Sequence, residues 1–155
     1  NNEAIQFIIN EVQWSYLIVF FILFFLGGYL LYSGLMAAIG AAVDEEADTQ
    51  QFLLPLTIPM VFAILMASKV IDDPSSSLAF WLSEIPFTSP VIMIVRIAMG
   101  IGDSSVEIWE IILSLFLLTI TFIGTTWLSG RIYRKGILSY GKKASYSDLF
   151  KWLKN

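Results

Sequence analysis

Residues 14–43 read WSYLIVFFILFFLGGYLLYSGLMAAIGAAV and hold no Asp, Glu, Lys or Arg. A surface helix of a soluble domain would carry charge on its outer face. Thirty helical residues run roughly 45 Å, longer than the roughly 30 Å hydrocarbon core of a bilayer. The stretch therefore predicts a membrane-crossing helix that tilts, kinks or protrudes, with Gly27-Gly28 as the natural kink. Trp14 and Tyr16 at its start suit the aromatic belt at the water–lipid boundary.

The two halves of this stretch differ. The first is rich in Leu, Phe and Ile and suits lipid. In the second, Gly34, Ala38 and Ala42 recur every four residues. That spacing makes one flat helix face against which another helix packs closely. Upstream, Ile5, Ile8, Ile9 and Val12 fall at helical spacing among Glu3 and Glu11, predicting an interfacial helix that leads into the membrane.

Downstream, DEEADTQQ (44–51) is too acidic for hydrocarbon and forms a connection. A second span is expected over 52–71, with Pro55 and Pro59 in its first turns and Lys69 snorkelling at its far end. Asp72-Asp73-Pro74 and three serines mark a turn and a helix cap. Residues 77–102 are apolar but short of a crossing, broken by Pro86 and Pro90, and carry Arg96. They predict a re-entrant helical hairpin, whose backbone protein or water must cover, with a fourth full span as the alternative. The third full span covers 106–128. The predicted class is all-α: a polytopic transmembrane helical bundle of three full spans, with the hairpin before the last.

Composition agrees. Hydrophobic residues make up 57% of the 155 and charged residues 14%, where soluble domains carry about 25% charge. The net charge of −4 hides an asymmetry. Arg131, Arg134, Lys135, Lys142, Lys143, Lys151 and Lys154 crowd the tail 129–155, and only Lys69 and Arg96 lie elsewhere. Short basic flanks stay cytoplasmic, so the tail is expected inside, the acidic connection inside and residue 1 outside. A start at Asn1 without Met or a basic leader, with residue 1 outside, suggests part of a longer polypeptide.

The chemistry available is narrow. The chain has no Cys and no His, which removes disulfides, thiolate metal sites and the usual general base. No nucleophile–base pair is visible and no catalytic residue is assigned, so the chain does not read as an enzyme. DEEAD invites a helicase reading, but no phosphate-cradling GxxxxGK[ST] loop accompanies it. As a short acidic loop it is either a solvated connection or a docking patch. The basic tail beside a span reads as an anchor or anionic-lipid contact rather than a nucleic-acid site.

Four charges stand out. Glu107 and Glu110 lie in the first turn of the last span, either as dipole partners or as a carboxylate pair for a cation or proton. Arg96, inside an apolar run, either pairs with Glu84 or Glu107 or snorkels to the outer interface.

The stretch GLMAAIGAAVDEEADTQQFLLPLTIPM (34–60) resembles the permease of type-2 ATP-binding-cassette (ABC) transporters, close to the sodium-export-like subgroup. The shared pattern is a small-residue helix end, the acidic string and a proline-marked span. The outer turn, the broken helices around FWLSEIPFTSPVIMIVRIAMG and the basic end agree with it. The resemblance covers roughly residues 30–135. It implies a six-span permease of which this chain holds the C-terminal part, working by alternating access as an ATP-driven exporter in the cell membrane. It also implies that Asp44, Glu45, Glu46, Asp48 and Gln50 face an ABC ATPase. ATP and magnesium would bind that ATPase, whether separate or fused, and no cofactor would bind this chain. The implied partners are the ATPase, a second permease copy, the remaining N-terminal spans and the bilayer. Other readings are a membrane scaffold without transport, and an ion-coupled transporter using Glu107, Glu110 and Arg96. A co-purifying ATPase argues against the first, and gradient-driven transport without ATP favours the second.

Overall fold

The computed structural model describes residues 14–43, 46–102 and 105–136. The interfacial helix expected over 1–13 and most of the basic tail lie outside them. Five helices occur among the described residues: α1 (Trp14–Ala42), α2 (Glu46–Asp72), α3 (Ser77–Glu84), α4 (Ser89–Met99) and α5 (Ile108–Gly136). The only β pairing described there is an isolated parallel bridge between Ile101 and Val106. Three helices are long and apolar enough to cross a bilayer, over Trp14–Gly40, Gln50–Asp72 and Ile108–Ile132. Only 17%, 11% and 17% of their most apolar windows are buried. Their remaining apolar side chains face outward, and such surfaces are stable in lipid or against further helices. The chain is an integral membrane protein with an all-helical fold.

α1 and α5 make the most extensive contact and run in the same direction. Gly27 of α1 lies at Leu118 of α5, while Gly34 lies at Thr126. The Ser129 hydroxyl donates to the Gly34 carbonyl at 2.8 Å. Phe24 and Leu31 of α1 are buried against Ile111 and Leu118 of α5, with Met93 and Ile97 of α4 beneath them. A second cluster joins Ala63 and Val70 of α2 to Ala79, Leu82 and Ile92. Helix α4 thus contributes to both cores, Met93 and Ile97 to the first and Ile92 to the second.

Gly27-Gly28, the expected place for a kink, is a contact point within one continuous helix. A Cβ on Gly27 would lie 2.7 Å from the Leu118 Cδ2 atom, and one on Gly28 would lie 2.8 Å from the Pro90 ring. The glycines let α5 and α4 approach the α1 backbone. α1 and α2 touch lightly, leaving two apolar grooves of about 370 and 390 Å³ that share Phe87.

Two boundaries differ from expectation. α2 starts at Glu46, so six of the eight residues of the expected connection (44–51) are helical and Pro55 and Pro59 lie inside the helix. Acidic residues favour a helix N-terminus. Internal prolines are tolerated in membrane helices when neighbours satisfy the freed backbone groups. At the other end α5 continues past Leu128 to Gly136, carrying Arg131 and Arg134 on the helix. Basic groups are favourable near a helix C-terminus, and the Arg131 guanidinium lies 4.4 Å from the centre of the Trp127 ring.

α3 and α4 form a short hairpin. Ser76 caps α3, its hydroxyl accepting from the Ala79 N–H at 3.2 Å. At the turn the Thr88 hydroxyl donates to the Leu82 carbonyl at 2.5 Å, and Pro90 opens α4 where its missing N–H costs nothing. The turn reaches α1 at Tyr32, whose hydroxyl donates to the Phe87 carbonyl at 2.7 Å. Tyr32 lies roughly 27 Å along the helix from Trp14, at 1.5 Å per residue. Tyr32→Phe is expected to cost about 1 kcal/mol. The check is the unfolding free energy of the full-length protein in detergent.

Candidate functional site

Inside the hairpin the structure gathers charge. The α2–α3 loop at Pro74, the last turn of α3, the C-terminal part of α4 and the approach to α5 meet around Arg96, which ties them together. It is 2% exposed. Its Nε donates to the Pro74 carbonyl at 2.9 Å, ahead of α3. Nη1 donates to the Ser83 hydroxyl of α3 at 2.7 Å, and Nη2 to the Ser105 carbonyl ahead of α5 at 2.9 Å. Nη1 also lies 2.6 Å from Glu110 Oε2. That approach is a close ion pair without the alignment of a hydrogen bond, since Oε2 has no hydrogen-bond partner.

Serines complete the network. The Ser105 hydroxyl donates to the Arg96 carbonyl at 2.6 Å. The Ser114 hydroxyl, fully buried on α5, donates to the Ser83 carbonyl at 2.6 Å. The loop between α4 and α5 turns through Gly100 (φ 132°) and Gly102 (φ 99°). Both lie in the left-handed region that glycine adopts without a steric penalty. This turn brings the Ser105 carbonyl back over Arg96.

Glu84 is the anomaly. It is 5% exposed, and neither carboxyl oxygen has a hydrogen-bond partner. Burial pushes its pKa up to about 7. The Glu110 carboxyl adds to the shift and Arg96 opposes it. Among the described residues the cluster thus holds one cation and two carboxyl groups, and the cation is committed to Glu110.

The partner of Arg96 is therefore Glu110, with Glu84 close by; it does not snorkel, and Glu107 is not its partner. Glu107 is exposed and accepts from the Trp109 indole N–H at 2.5 Å. Ser83, Ser105 and Ser114 were missed by sequence reasoning. One signal was present: Glu110, Ser114 and Leu118 form an i, i+4 row on one face of α5, where a run of buried positions includes polar groups.

The acidic segment is described only in part. Asp44 and Glu45 lie outside the described residues. Glu46 and Asp48 fall in the first turn of α2, and Gln50, one turn on, is exposed. Gly34 meets α5 as above, Ala38 is buried beside Phe52 in the smaller groove, and Ala42 closes α1. No group of three or more acidic side chains suited to a metal ion occurs among the described residues.

Comparison with known proteins adds family and extent. The family of ABC-2 family transporter proteins matches residues 4–131. The uncharacterized protein YhaP of Bacillus subtilis (strain 168) is 28% identical over 132 residues, covering 85% of this chain and 30% of that protein. The uncharacterized protein MJ1024 of Methanocaldococcus jannaschii is 25% identical over 136 residues, covering 88% of this chain and 33% of that protein. The chain thus spans about a third of the length of these relatives. No solved structure matches it. With a family match over most of its length and three helices able to cross a membrane, the chain belongs to the ABC-2 family transporter proteins, the membrane components of ABC transporters.

Proposed function

We propose that this chain is part of the permease of an ATP-driven ABC exporter, and that its spans rock between inward and outward access while a partner or fused ATPase hydrolyses ATP. The observation that carries the reading is the family match over 4–131, joined to three helices able to cross a membrane. The hairpin is the element we place as re-entrant. Its two outer ends meet at the Arg96 cluster while its turn reaches Tyr32 deep along α1. Its interior network is buried and α1, α2 and α5 pack around it, which suits irregular backbone at membrane depth, while Ile85 at the turn stays exposed.

In this reading the Arg96 cluster lies at the outer face and the start of α2 at the inner face. The basic residues at the end of α5 support that orientation. The acidic segment around Glu45 and Glu46 is the point at which the ATPase engages. A charged loop suits such a contact because electrostatic complementarity fixes partner and register. Replacing Glu45 and Glu46 together by Lys is expected to abolish substrate-stimulated ATP hydrolysis in proteoliposomes of the full transporter, with membrane insertion unchanged. Stimulation equal to wild type would remove the coupling role from this segment.

A further inference from the structure

We propose that Glu84 is a proton-binding site: its carboxyl carries a proton while α3 and α4 pack on α5, and releases it to water when that packing opens. Arg96 is the buried cation at the cluster, and its described contacts go to Glu110, Pro74, Ser83 and Ser105, none to Glu84. Glu110 is thereby neutralised. A second buried carboxylate with no donor is costly, and such a group takes up a proton instead.

Among the described residues no other charge offers compensation. The charges acting on Glu84 come from α5 (Glu110) and α4 (Arg96). α2, which also packs on α3, carries Lys69 and Asp72 in its last turn. These, with Asp73 and Glu107, are exposed. The raised pKa of Glu84, about 7, accords with the geometry.

The linkage has a definite sign. A carboxyl with an ordinary pKa of 4.5 that rises to about 7 when packed binds protons more tightly in the folded state. The packed hairpin is favoured fully below 4.5, and the advantage is lost as pH rises to about 7. Ionised Glu84 would then draw in water or compete with Glu110 for Arg96. The proposal rests on the cluster alone and stands apart from the transport reading, because its test needs no ATPase.

The test is infrared difference spectroscopy of the full-length protein in lipid, titrated with pH in H2O and D2O. The C=O stretch of a protonated carboxyl, shifting in D2O, is expected to fade as pH rises through about 7. It should be missing in Glu84→Gln and kept at altered frequency in Glu84→Asp, the variant that guards against misfolding. In Glu110→Gln the band should fade at lower pH, because Arg96 then has one carboxylate to serve. Thermal stability of the wild type should fall over the same pH range, and that slope should be absent in Glu84→Gln. A band or a pH slope unchanged by Glu84→Gln would overturn the proposal.

Discussion

Arg96→Met is expected to destabilise the full-length protein by about 3–5 kcal/mol, because removing one partner leaves a buried charge uncompensated. The residue is almost fully enclosed, and its contacts join the α2–α3 loop, α3 and the approach to α5. Three acceptors lose their donor and the Glu110 carboxylate loses its ion-pair partner at once. The loss is expected to be asymmetric. Glu110→Gln should cost less than Arg96→Met, because Glu84 then loses its proton and takes over Arg96, whereas no second cation replaces Arg96. The double variant Arg96→Met, Glu110→Leu should recover part of the single Arg96 loss, since both charges leave together. Unfolding free energies of the three proteins in one detergent supply the check. A Glu110→Gln cost equal to that of Arg96→Met would show that Glu84 does not step in.

The second large effect is expected at Gly28. Leucine there must displace the Pro90 ring, which lies 2.8 Å from the position of its Cβ. A proline ring at a helix N-terminus has little freedom to yield, so the cost should reach about 3 kcal/mol, the upper end of ordinary overpacking. Gly27→Ala is the control. Its Cβ meets the far end of the Leu118 side chain, a flexible group that yields more readily than a proline ring. Alanine also gains about 1 kcal/mol in helix propensity over glycine. Gly27→Ala should therefore be close to neutral. Hydrogen exchange over 77–99 should rise in Gly28→Leu, because the hairpin parts from α1.

The physical basis of these two predictions also explains what the sequence made legible. The three spans followed from uncharged runs, since a bilayer imposes length and polarity on each crossing independently of tertiary contacts. The oddity of Arg96 was equally plain, because an ionisable group in an apolar run must be answered. Its partner was not. Glu84, Glu107 and Glu110 all lie within fifteen residues of Arg96, and the choice among them depends on how the hairpin folds back. The Gly100 and Gly102 turns bring Ser105 and Glu110 to Arg96 and leave Glu107 in the open. Spacing alone carries no trace of that turn.

Gly27-Gly28 shows the converse. Two adjacent glycines in a long helix have two uses, bending it or admitting a neighbour, and local sequence does not separate them. The structure shows the second, with Leu118 and Pro90 arriving from segments sixty or more residues away. The helical start of α2 was likewise hidden by composition. DEEADTQQ is polar enough for a loop, yet its acids also suit a helix N-terminus.

The central claim is that this chain serves an ATP-driven permease, and purification of the full-length protein from its native membranes tests it most directly. The account predicts an ABC ATPase in fixed stoichiometry, bound or fused, whose hydrolysis rate changes when the permease is removed or when Glu45 and Glu46 are reversed in charge. A pure, intact membrane protein with neither a bound nor a fused ATPase would contradict it.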